Sequence, residues 1–365
     1  MRRSRGPASS SSSSACCSPS DSCPRELMRA VLVERTLCLR EPLRTAQGEM
    51  TERPLFLLEL QDGEGRRAAG EAAPLEHYDG VSAERCRTAL EAYLPLLRAH
   101  DGGTGVSLLD ACRAVDPLPQ ALSAIDTALW SLAAQREGRP ICDLLSDEAL
   151  SHVPVNATIG ATDARAAAAQ ALAFIEAGFT CLKVKVGVGD DASRLAAIRA
   201  AVGPQVVLRL DANGAWTADQ AVHAIGRLAA AGLELVEEPV HGVDALREVR
   251  RRVPSRIAMD ETAAEPGAIG SGAADAVCLK LARAGGISGL LAQAALVRAS
   301  GAEVYLASTL DGPVGIAAAL HCAAALRVEL PCGLATLGLF EDAVPAALTP
   351  SAGAIAVPTA PGLGL

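Results

Sequence analysis

Aromatic residues, basic charge and long apolar runs are all scarce in this chain of 365 residues. Phe, Trp and Tyr make up 2% of the chain, too little for the stacking platforms that hold single-stranded nucleic acids. The net charge is −9, which also argues against a nucleic-acid partner. No apolar run is long enough to cross a bilayer, so we expect no membrane partner either. These shortages indicate a soluble, acidic protein.

The 11 cysteines are odd in number, and their spacing shows no disulfide framework. Several lie within apolar segments, such as Cys181 and Cys278. We interpret them as reduced core residues and expect a cytoplasmic location. Cys16, Cys17 and Cys23 lie close together, but no matching ligands are near them, so we do not interpret them as a metal cluster.

Composition changes sharply near residue 28. Residues 1–27 contain a serine run and several arginines, so we expect a disordered extension, either a start codon assigned too early or a transit peptide. Two β-rich runs at 29–39 and 54–60 then flank a polar, turn-prone stretch at 40–51. Helical spacing follows at 83–99 and 118–135. We predict a small α+β domain from residue 28 to about residue 130.

Half of the residues are apolar. From about residue 153 onward, the chain alternates between two sequence patterns. Short β-rich runs are separated by Ala/Leu-rich helical segments, at an interval typical of a (β/α) barrel. The runs are 180–186, 206–211, 233–238, 256–260, 276–281 and 303–308. The sequence therefore predicts a parallel array of strands and helices.

Charged residues recur at or near the carboxyl ends of five successive runs. They are Lys183 and Lys185, Asp211, Glu237, Asp260, and Lys280. Lys183 and Lys185 are two residues apart, so both side chains leave the same face of their strand. In a barrel, catalytic groups gather at the carboxyl ends of the strands. One acid from each of three neighbouring strands is the oxygen ligand set that Mg²⁺ prefers.

Three lysines around three acids suggest proton transfer, and we expect their pKa values to be lowered enough for base chemistry. Each position alone has an ordinary interpretation, such as a turn residue for Asp211 or a snorkelling side chain for Lys280. Glu238 precedes a proline, and we expect it to face solvent or to assist rather than to bind metal. Because charged residues recur at five consecutive strand ends, an active site is favoured over a separate ordinary role for each residue.

A glycine motif at 187–192 imitates a dinucleotide-binding fingerprint, since G-x-G-x-x-A follows a strand. However, Asp190 and Asp191 would place negative charge where a pyrophosphate must dock. We therefore do not expect a nicotinamide or flavin cofactor.

Five motifs in this order resemble the muconate lactonizing enzyme subgroup of the enolase superfamily, which also includes mandelate racemase. They are K-V-K (183–185), D-A-N-G-A-W (211–216), V-E-E-P (236–239), M-D-E-T (259–262) and C-L-K (278–280). The resemblance covers the chain from about Met28 onward. It implies an α/β fold, a modified TIM barrel of the (β/α)7β type with an N-terminal α+β capping domain. The implied parts are a cap at 28–130, a barrel at 131–340 and a C-terminal segment at 341–365 that returns to the cap.

The resemblance also implies roles for these residues. Asp211, Glu237 and Asp260 would bind Mg²⁺, with Mn²⁺ as an alternative. Lys185 would be the base, Lys183 would position the substrate, and Lys280 would stand on the opposite face. Four more residues would support the metal ligands or bind the substrate: Asn213, Glu238, Ser308 and Thr309. The substrate would be a small carboxylate that loses its α-proton to give an enediolate, and we expect a homo-oligomer.

Within this subgroup, the segments at 307–320 and 332–336 look most like o-succinylbenzoate synthases, which dehydrate a cyclohexadiene carboxylate. Muconate cycloisomerase and N-succinylamino acid racemase or epimerase remain alternatives. The D-x-D motif of dipeptide epimerases is absent, since residues 333–340 are apolar. A protein of another class, a catalytically silent barrel that only binds, would normally have lost one of these charged residues.

Two segments of the cap are candidates for loops that close over the substrate, at residues 40–51 and 70–81. The second contains His77 and Tyr78, which are candidate substrate contacts.

Overall fold

The computed structural model describes residues 28–45, 48–100, 104–160 and 162–365. The extension predicted at residues 1–27, with its three cysteines, lies outside the described residues. The described chain forms a three-stranded antiparallel sheet with helices, followed by a seven-stranded parallel sheet with helices between its strands. Among the described residues, no helix combines the length and apolar character needed to cross a membrane.

The antiparallel sheet contains β1 (Arg29–Thr45), β2 (Gly48–Gln61) and β3 (Arg67–Ala72), in that spatial order. The chain reverses between Thr45 and Gly48, within the turn-prone stretch predicted at 40–51, but most of that stretch is strand: after a register shift between Cys38 and Leu43, β1 and β2 pair again from Leu43 and Met50 to Thr45 and Gly48. Arg40, Glu41 and Glu49 are exposed there. Polar residues suit such a hairpin arm, since the two backbones bond each other while the side chains face water.

Four helices follow in the cap: α1 (Glu76–Asp79), α2 (Ala83–Arg98), α3 (Gly105–Val115) and α4 (Pro119–Glu137). Both predicted helices are confirmed as α2 and α4. Ser82 begins α2 by accepting a hydrogen bond from the Arg85 N–H, and Leu90, Tyr93 and Leu97 are buried along one face. These side chains form a core with the inner face of the antiparallel sheet.

The segment at 70–81, predicted as a loop, is only partly one. Its first residues belong to β3, and its last ones include α1. Gly70 lies so close to α4 that a Cβ atom there would be 1.8 Å from the Ala124 carbonyl oxygen. Glycine therefore reflects close packing of a strand on a helix here, and not a turn.

After α5 (Ile141–Leu145) and the short strand β4 (His152–Pro154), the chain forms the parallel sheet. Its strands are β5 (Ala157–Ile159), β6 (Cys181–Lys185), β7 (Val207–Asp211), β8 (Leu233–Glu237), β9 (Arg256–Met259), β10 (Ala276–Leu279) and β11 (Glu303–Leu306), adjacent in chain order. The six predicted runs are all confirmed as strands, each one or two residues shorter than predicted.

Helices follow the parallel strands, as the alternating pattern predicts. They are α6 (Ala164–Glu176), α7 (Asp191–Val202), α8 (Ala218–Leu228), α9 (Val243–Arg252), α10 (Leu281–Ala284), α11 (Ile287–Ala299) and α12 (Pro313–Ala325). Asp190 begins α7 by accepting a hydrogen bond from the Ser193 N–H, and Asp191 accepts one from the Gly187 N–H. These carboxylates therefore accept hydrogen bonds from the backbone N–H groups that a bound pyrophosphate would need as donors.

Residues 332–333 close the sheet into a barrel. Cys332 bridges to Val155, beside β5, and Gly333 bridges to Ala307, beside β11, both in parallel orientation. These two residues occupy the place of an eighth strand between the first and the last of the seven. The predicted modified barrel with an α+β cap is confirmed, although the exact domain boundaries stay a prediction.

The C-terminal part of the chain packs against the start of the barrel region. Strand β12 (Ala354–Ala356) pairs antiparallel with β4, and the Ile141 N–H donates to the Gly362 carbonyl. The buried ring of His321 in α12 joins these parts: Nδ1 accepts from the Cys142 N–H at 3.3 Å, and Nε2 lies 3.3 Å from the Leu363 carbonyl oxygen. The first contact requires a neutral ring, because Nδ1 can accept a hydrogen bond only when it carries no proton.

We expect His321 to make the protein less stable in mild acid. Burial lowers the pKa of His321 from 6.5 to about 4, so the unfolded chain binds the proton more readily between these values. The free energy of unfolding should therefore decrease by about 2 kcal/mol between pH 7 and pH 5 through this group. Thermal unfolding of His321→Gln across this range should show a flatter pH dependence. The exposed His223→Gln is the matched control, and equal slopes for wild type and His321→Gln would contradict the prediction.

Candidate active site

The charged residues predicted at the strand ends lie together at one edge of the barrel. Asp211 and Glu237 are the last residues of β7 and β8, and Asp260 directly follows β9. All three are buried, with at most 2% of each exposed. Because parallel strands end at the same edge, three positions far apart in sequence become neighbours.

Lys183 joins two of these carboxylates. Its ammonium nitrogen lies 2.8 Å from Asp211 Oδ2 and 2.7 Å from Glu237 Oε1. Its neighbour on the same face of β6, Lys185, donates to Asp211 Oδ2 at 2.6 Å and to Asn213 Oδ1 at 2.8 Å. The predicted pairing of lysines with carboxylates is therefore present, and both side chains point into the barrel mouth.

Asn213 links β7 to the segment after β9. Its backbone N–H donates to Asp211 Oδ1 at 3.0 Å, and its side-chain amide donates to Glu261 Oε1 at 2.9 Å. Its backbone has a φ of 45°, a left-handed conformation that asparagine adopts more easily than most residues. Asn213 thus orients both Asp211 and Lys185, as expected for a residue that supports the site.

Lys280 approaches from the other side of the barrel mouth. It follows β10, which β7, β8 and β9 separate from β6. Its ammonium nitrogen lies 2.5 Å from Asp260 Oδ1 and 2.6 Å from Asp260 Oδ2. The cluster therefore has lysines on two opposite sides, with the carboxylates between them.

The carboxylate charges control the protonation of these lysines. Burial alone would lower the pKa of Lys183 and of Lys280, but the carboxylates of Asp211, Glu237 and Asp260 outweigh it and raise both pKa values. The expectation of lowered lysine pKa values is therefore wrong for these two residues, because pairing overcomes burial. Conversely, burial would raise the pKa of Asp211, but the charges of Lys183 and Lys185 dominate and lower it.

The carboxylate cluster suits a hard divalent cation. Glu237 Oε2 is buried and has no hydrogen-bond donor among the described residues. The nearest ligand atoms of Glu237, Asp260 and Cys278 lie within 4.8 Å of one another. Burial raises the pKa of the Cys278 thiol well above its usual value, so its sulfur stays protonated and is a poor ligand for Mg²⁺. The donors that fit such a cation are therefore the carboxylate oxygens, and Asp211 lies beside them because Lys183 contacts both Asp211 and Glu237.

Glu238 differs from the expectation that it faces solvent, because it is fully buried. Its carboxylate accepts hydrogen bonds from the backbone N–H groups of Asp260 at 2.7 Å and Thr262 at 3.0 Å. His241 Nδ1 lies 3.0 Å from it. Glu238 therefore holds the segment that carries Asp260, which fits the alternative expectation of an assisting residue.

Ser308 and Thr309 follow β11 and line the pocket above the carboxylates. Ser308 Oγ lies 2.8 Å from Thr336 Oγ1, beside the residues that close the barrel. The Thr309 hydroxyl donates to Asp311 Oδ1 at 2.6 Å. Both hydroxyls are thus hydrogen-bonded within the protein, and contact of Ser308 or Thr309 with a substrate stays a prediction.

The pocket has a volume of about 150 Å³ and is lined by the three lysines and by residues of the cap. It adjoins a larger cavity of about 750 Å³, since Leu43, Thr158, Thr336 and Leu339 line both. The cap residues in the lining are Leu43, Met50, Leu75, His77 and Tyr78. Both cap segments predicted to close over the substrate therefore contribute to this pocket.

Sequence reasoning missed two residues and one general signal. Glu261, next to Asp260, accepts a hydrogen bond from the Asn213 amide, and Arg283 in α10 donates to the Tyr78 hydroxyl and to the Glu261 carbonyl. Burial, together with the charge of Asp260, raises the pKa of Glu261 to about 8. The missed signal is composition, because the chain has 30 arginines but only three lysines, and all three lie in this site. The chain uses arginine for nearly all of its other basic positions, so lysine at these three positions points to chemistry that arginine cannot perform.

Comparison with known proteins agrees with this geometry. The profile of the mandelate racemase / muconate lactonizing enzyme N-terminal domain matches residues 28–146. The profile described as enolase C-terminal domain-like matches residues 166–365.

The chain is 32% identical to L-Ala-D/L-Glu epimerase of Bacillus subtilis (strain 168) over 90% of its own length and 93% of that protein. It is 42% identical to o-succinylbenzoate synthase of Thermobifida fusca, but over 52% of its own length and 61% of that protein. Its structure resembles that of a dipeptide epimerase from Enterococcus faecalis V583 in complex with Mg and the dipeptide L-Leu-L-Tyr. That match has a TM-score of 0.86 and 28% identity, and covers 93% of this chain and 99% of the other.

The two profiles together cover most of the chain, in the order expected for a cap followed by a barrel. The chain is therefore an enzyme that belongs to the muconate lactonizing enzyme subgroup of the enolase superfamily.

Proposed function

We propose that this enzyme removes the proton next to the carboxylate of a small substrate with the help of a divalent cation, and that it is an o-succinylbenzoate synthase. One observation carries the proposal: lysines stand on both sides of a buried carboxylate cluster, with Lys185 on one side and Lys280 on the other. A base on one side of the substrate and a positive charge on the other would suit removal of a proton next to a carboxylate.

Asp211, Glu237 and Asp260 would hold the cation, with Mg²⁺ as the first choice and Mn²⁺ as the alternative. The unpartnered, buried Glu237 Oε2 supports this assignment, since a buried carboxylate oxygen needs a partner. When bound, such a cation would attract the substrate carboxylate and offset the negative charge that develops as the α-proton leaves.

The chain's own residues would perform the proton transfers. Lys185, as a neutral amine, takes the α-proton, and the electrons of the C–H bond move into the substrate carboxylate to form an enediolate. These electrons then form the new carbon–carbon double bond as hydroxide leaves the neighbouring carbon. Lys185 returns its proton to the hydroxide, so that water is the second product and the lysine is again neutral.

Lys183 and Lys280 would act mainly as charges in this reaction. Lys183 holds Asp211 and Glu237 together and keeps positive charge beside the substrate carboxylate. Lys280 would stabilise the enediolate from the opposite side. Asn213 would position Lys185 through its 2.8 Å hydrogen bond.

Two observations favour dehydration. The identity to the Thermobifida fusca synthase is 42%, against 32% for the Bacillus subtilis epimerase, although the first match is shorter. The described lining of the pocket near the closing strand consists of Ala307, Ser308, Gly333, Thr336 and Leu339. These residues include no carboxylate for the free ammonium group of a dipeptide.

A racemase or epimerase is the second candidate, and the placement of Lys280 favours it. Racemisation needs one base on each side of the α-carbon, and Lys185 and Lys280 occupy two such sides. The Bacillus subtilis epimerase also matches nearly the whole chain.

Proton NMR in D₂O with Mg²⁺ separates these functions. The cyclohexadiene substrate, cis,cis-muconate and N-succinylamino acids would be supplied separately. We expect dehydration of the first and little change in the others. Deuterium entering the α-position of an N-succinylamino acid, with racemisation, would instead establish two-base chemistry. Cycloisomerisation of muconate would establish the remaining alternative, and no reaction with any compound would contradict the synthase. The homo-oligomeric state and cytoplasmic location stay predictions.

A further inference from the structure

We propose that Tyr78, a residue of the cap, is a positioning residue of the cation site, so that placement of the cap and cation affinity depend on each other. The inference rests on the proposed function in one respect, namely that Asp260 is a cation ligand. It concerns a side chain that takes no part in the proton transfers and is not one of the three carboxylates.

The hydroxyl of Tyr78 lies between the cap and the barrel. It donates a hydrogen bond to Asp260 Oδ1 at 2.6 Å and accepts one from Arg283 Nη1 at 2.9 Å. Arg283 Nη2 in turn donates to the Glu261 carbonyl oxygen at 3.1 Å. Arg283 therefore fixes the position of the hydroxyl, and the hydroxyl fixes one oxygen of Asp260.

This contact orients the carboxylate without adding a competing charge. Lys280 also contacts both oxygens of Asp260, but it is proposed to serve the substrate as well. Tyr78 is a neutral donor that holds Oδ1 whichever way Lys280 points. Partners that orient a metal ligand in this way commonly change metal affinity by about 10- to 100-fold.

The ring of Tyr78 has a second effect, on Lys280. The ammonium nitrogen of Lys280 lies 4.8 Å from the ring centroid, and Cζ of Arg283 lies 5.0 Å from it. Both distances are within the range of cation–π attraction. The ring of Tyr78 therefore confines the Lys280 ammonium group, while its hydroxyl bonds Asp260.

Tyr78 depends on the cap for its position. It lies in α1, where Asp79 Oδ1 accepts from the Val81 N–H at 2.9 Å and Asp79 Oδ2 accepts from Gln120 Nε2 of α4 at 2.8 Å. A displacement of the cap that moves α1 would break the contact with Asp260. By reciprocity, a cation bound at Asp260 should favour the cap position that keeps this contact.

The first test compares cation binding by wild type, Tyr78→Phe and Tyr93→Phe, using the electron paramagnetic resonance signal of free Mn²⁺. Tyr93 is the matched control, because its hydroxyl donates to the Asp116 carbonyl within the cap, away from the carboxylate cluster. We expect Mn²⁺ affinity to fall at least about 10-fold in Tyr78→Phe, since a hydrogen bond to a charged group is lost. Tyr93→Phe should bind as wild type does.

The second test uses the fact that the chain has only three lysines. With ¹³Cε-labelled lysine, the spectrum should contain three lysine signals, and Lys280→Arg assigns one of them. We expect Tyr78→Leu to shift the Lys280 signal, because the aromatic ring current is removed, while Tyr78→Phe should shift it far less. A purely structural role in the cap would not produce this difference.

Three outcomes would overturn the inference. Unchanged Mn²⁺ affinity in Tyr78→Phe would show that the hydroxyl does not position Asp260, while leaving the proposed function intact. Equal losses in Tyr78→Phe and Tyr93→Phe would show that only cap stability matters. Failure of the wild type to bind Mn²⁺ at all would remove the proposed function, and the inference with it.

Discussion

Replacing Lys185 by alanine should lower kcat by about 10²- to 10⁴-fold, the usual contribution of a positioned base. The fold and the cation site should persist. Asp211 would keep its 2.8 Å contact with Lys183, so no buried carboxylate would lose all of its positive partners. The measurement is steady-state turnover of the preferred substrate, together with deuterium exchange at the α-carbon in D₂O. Both should be lost together, because the same group removes the proton in each.

Lys185→Arg is the sharper companion variant. It keeps a positive charge beside Asp211 but cannot act as a base near neutral pH, so it should be as inactive as the alanine variant. Mn²⁺ binding should remain measurable in both, which separates loss of the base from loss of the site. Substantial turnover by Lys185→Ala would show that a different group is the base and would contradict the assignment of Lys185.

Replacing Glu237 by glutamine should lower divalent-cation affinity by at least about 100-fold, since loss of a ligand should exceed loss of a residue that merely orients one. The change preserves the size of a side chain that is fully buried. Lys183 would retain Asp211 as a partner, so a general collapse of the cluster is not expected. Titration with Mg²⁺ or Mn²⁺, followed by calorimetry, measures the effect directly, and activity should decrease in parallel at limiting cation.

Glu234→Gln is the matched control for this prediction. Glu234 lies on the same strand but pairs with Arg209, away from the carboxylate cluster. We expect this variant to lose stability without losing cation affinity, because a buried arginine would lose its partner. If Glu237→Gln bound the cation as tightly as wild type, the assignment of the three carboxylates would be wrong.

Sequence predicted the strands of the barrel well because their pattern is local. A β-rich run such as residues 207–211 combines apolar side chains with a charged residue at its end. Both features can be read from the sequence without knowing which elements pack against the run. Sequence overestimated the length of the turn within residues 40–51 for the same reason. Polar residues there resemble a turn, and only pairing with a partner strand keeps them extended.

Protonation was the other point at which local reasoning was insufficient. A lysine in an apolar strand suggests a lowered pKa, since burial disfavours charge. The structure places Asp211 and Glu237 within 2.8 Å of Lys183, and their charges reverse the direction. The sign of the effect depends on distances between residues that are 26 positions or more apart in the chain.

The sequence by itself determined which charged residues stand at the ends of the barrel strands. The order of its strand-end residues, and the two-residue spacing of Lys183 and Lys185, follow from local periodicity that any barrel would preserve. Only the tertiary structure decided how the site they form is completed: the closure of the barrel by Cys332 and Gly333, and the reach of Tyr78 to Asp260 across 182 residues. Such contacts arise from the packing of whole elements against each other, and no short stretch of sequence encodes the position of its distant partner.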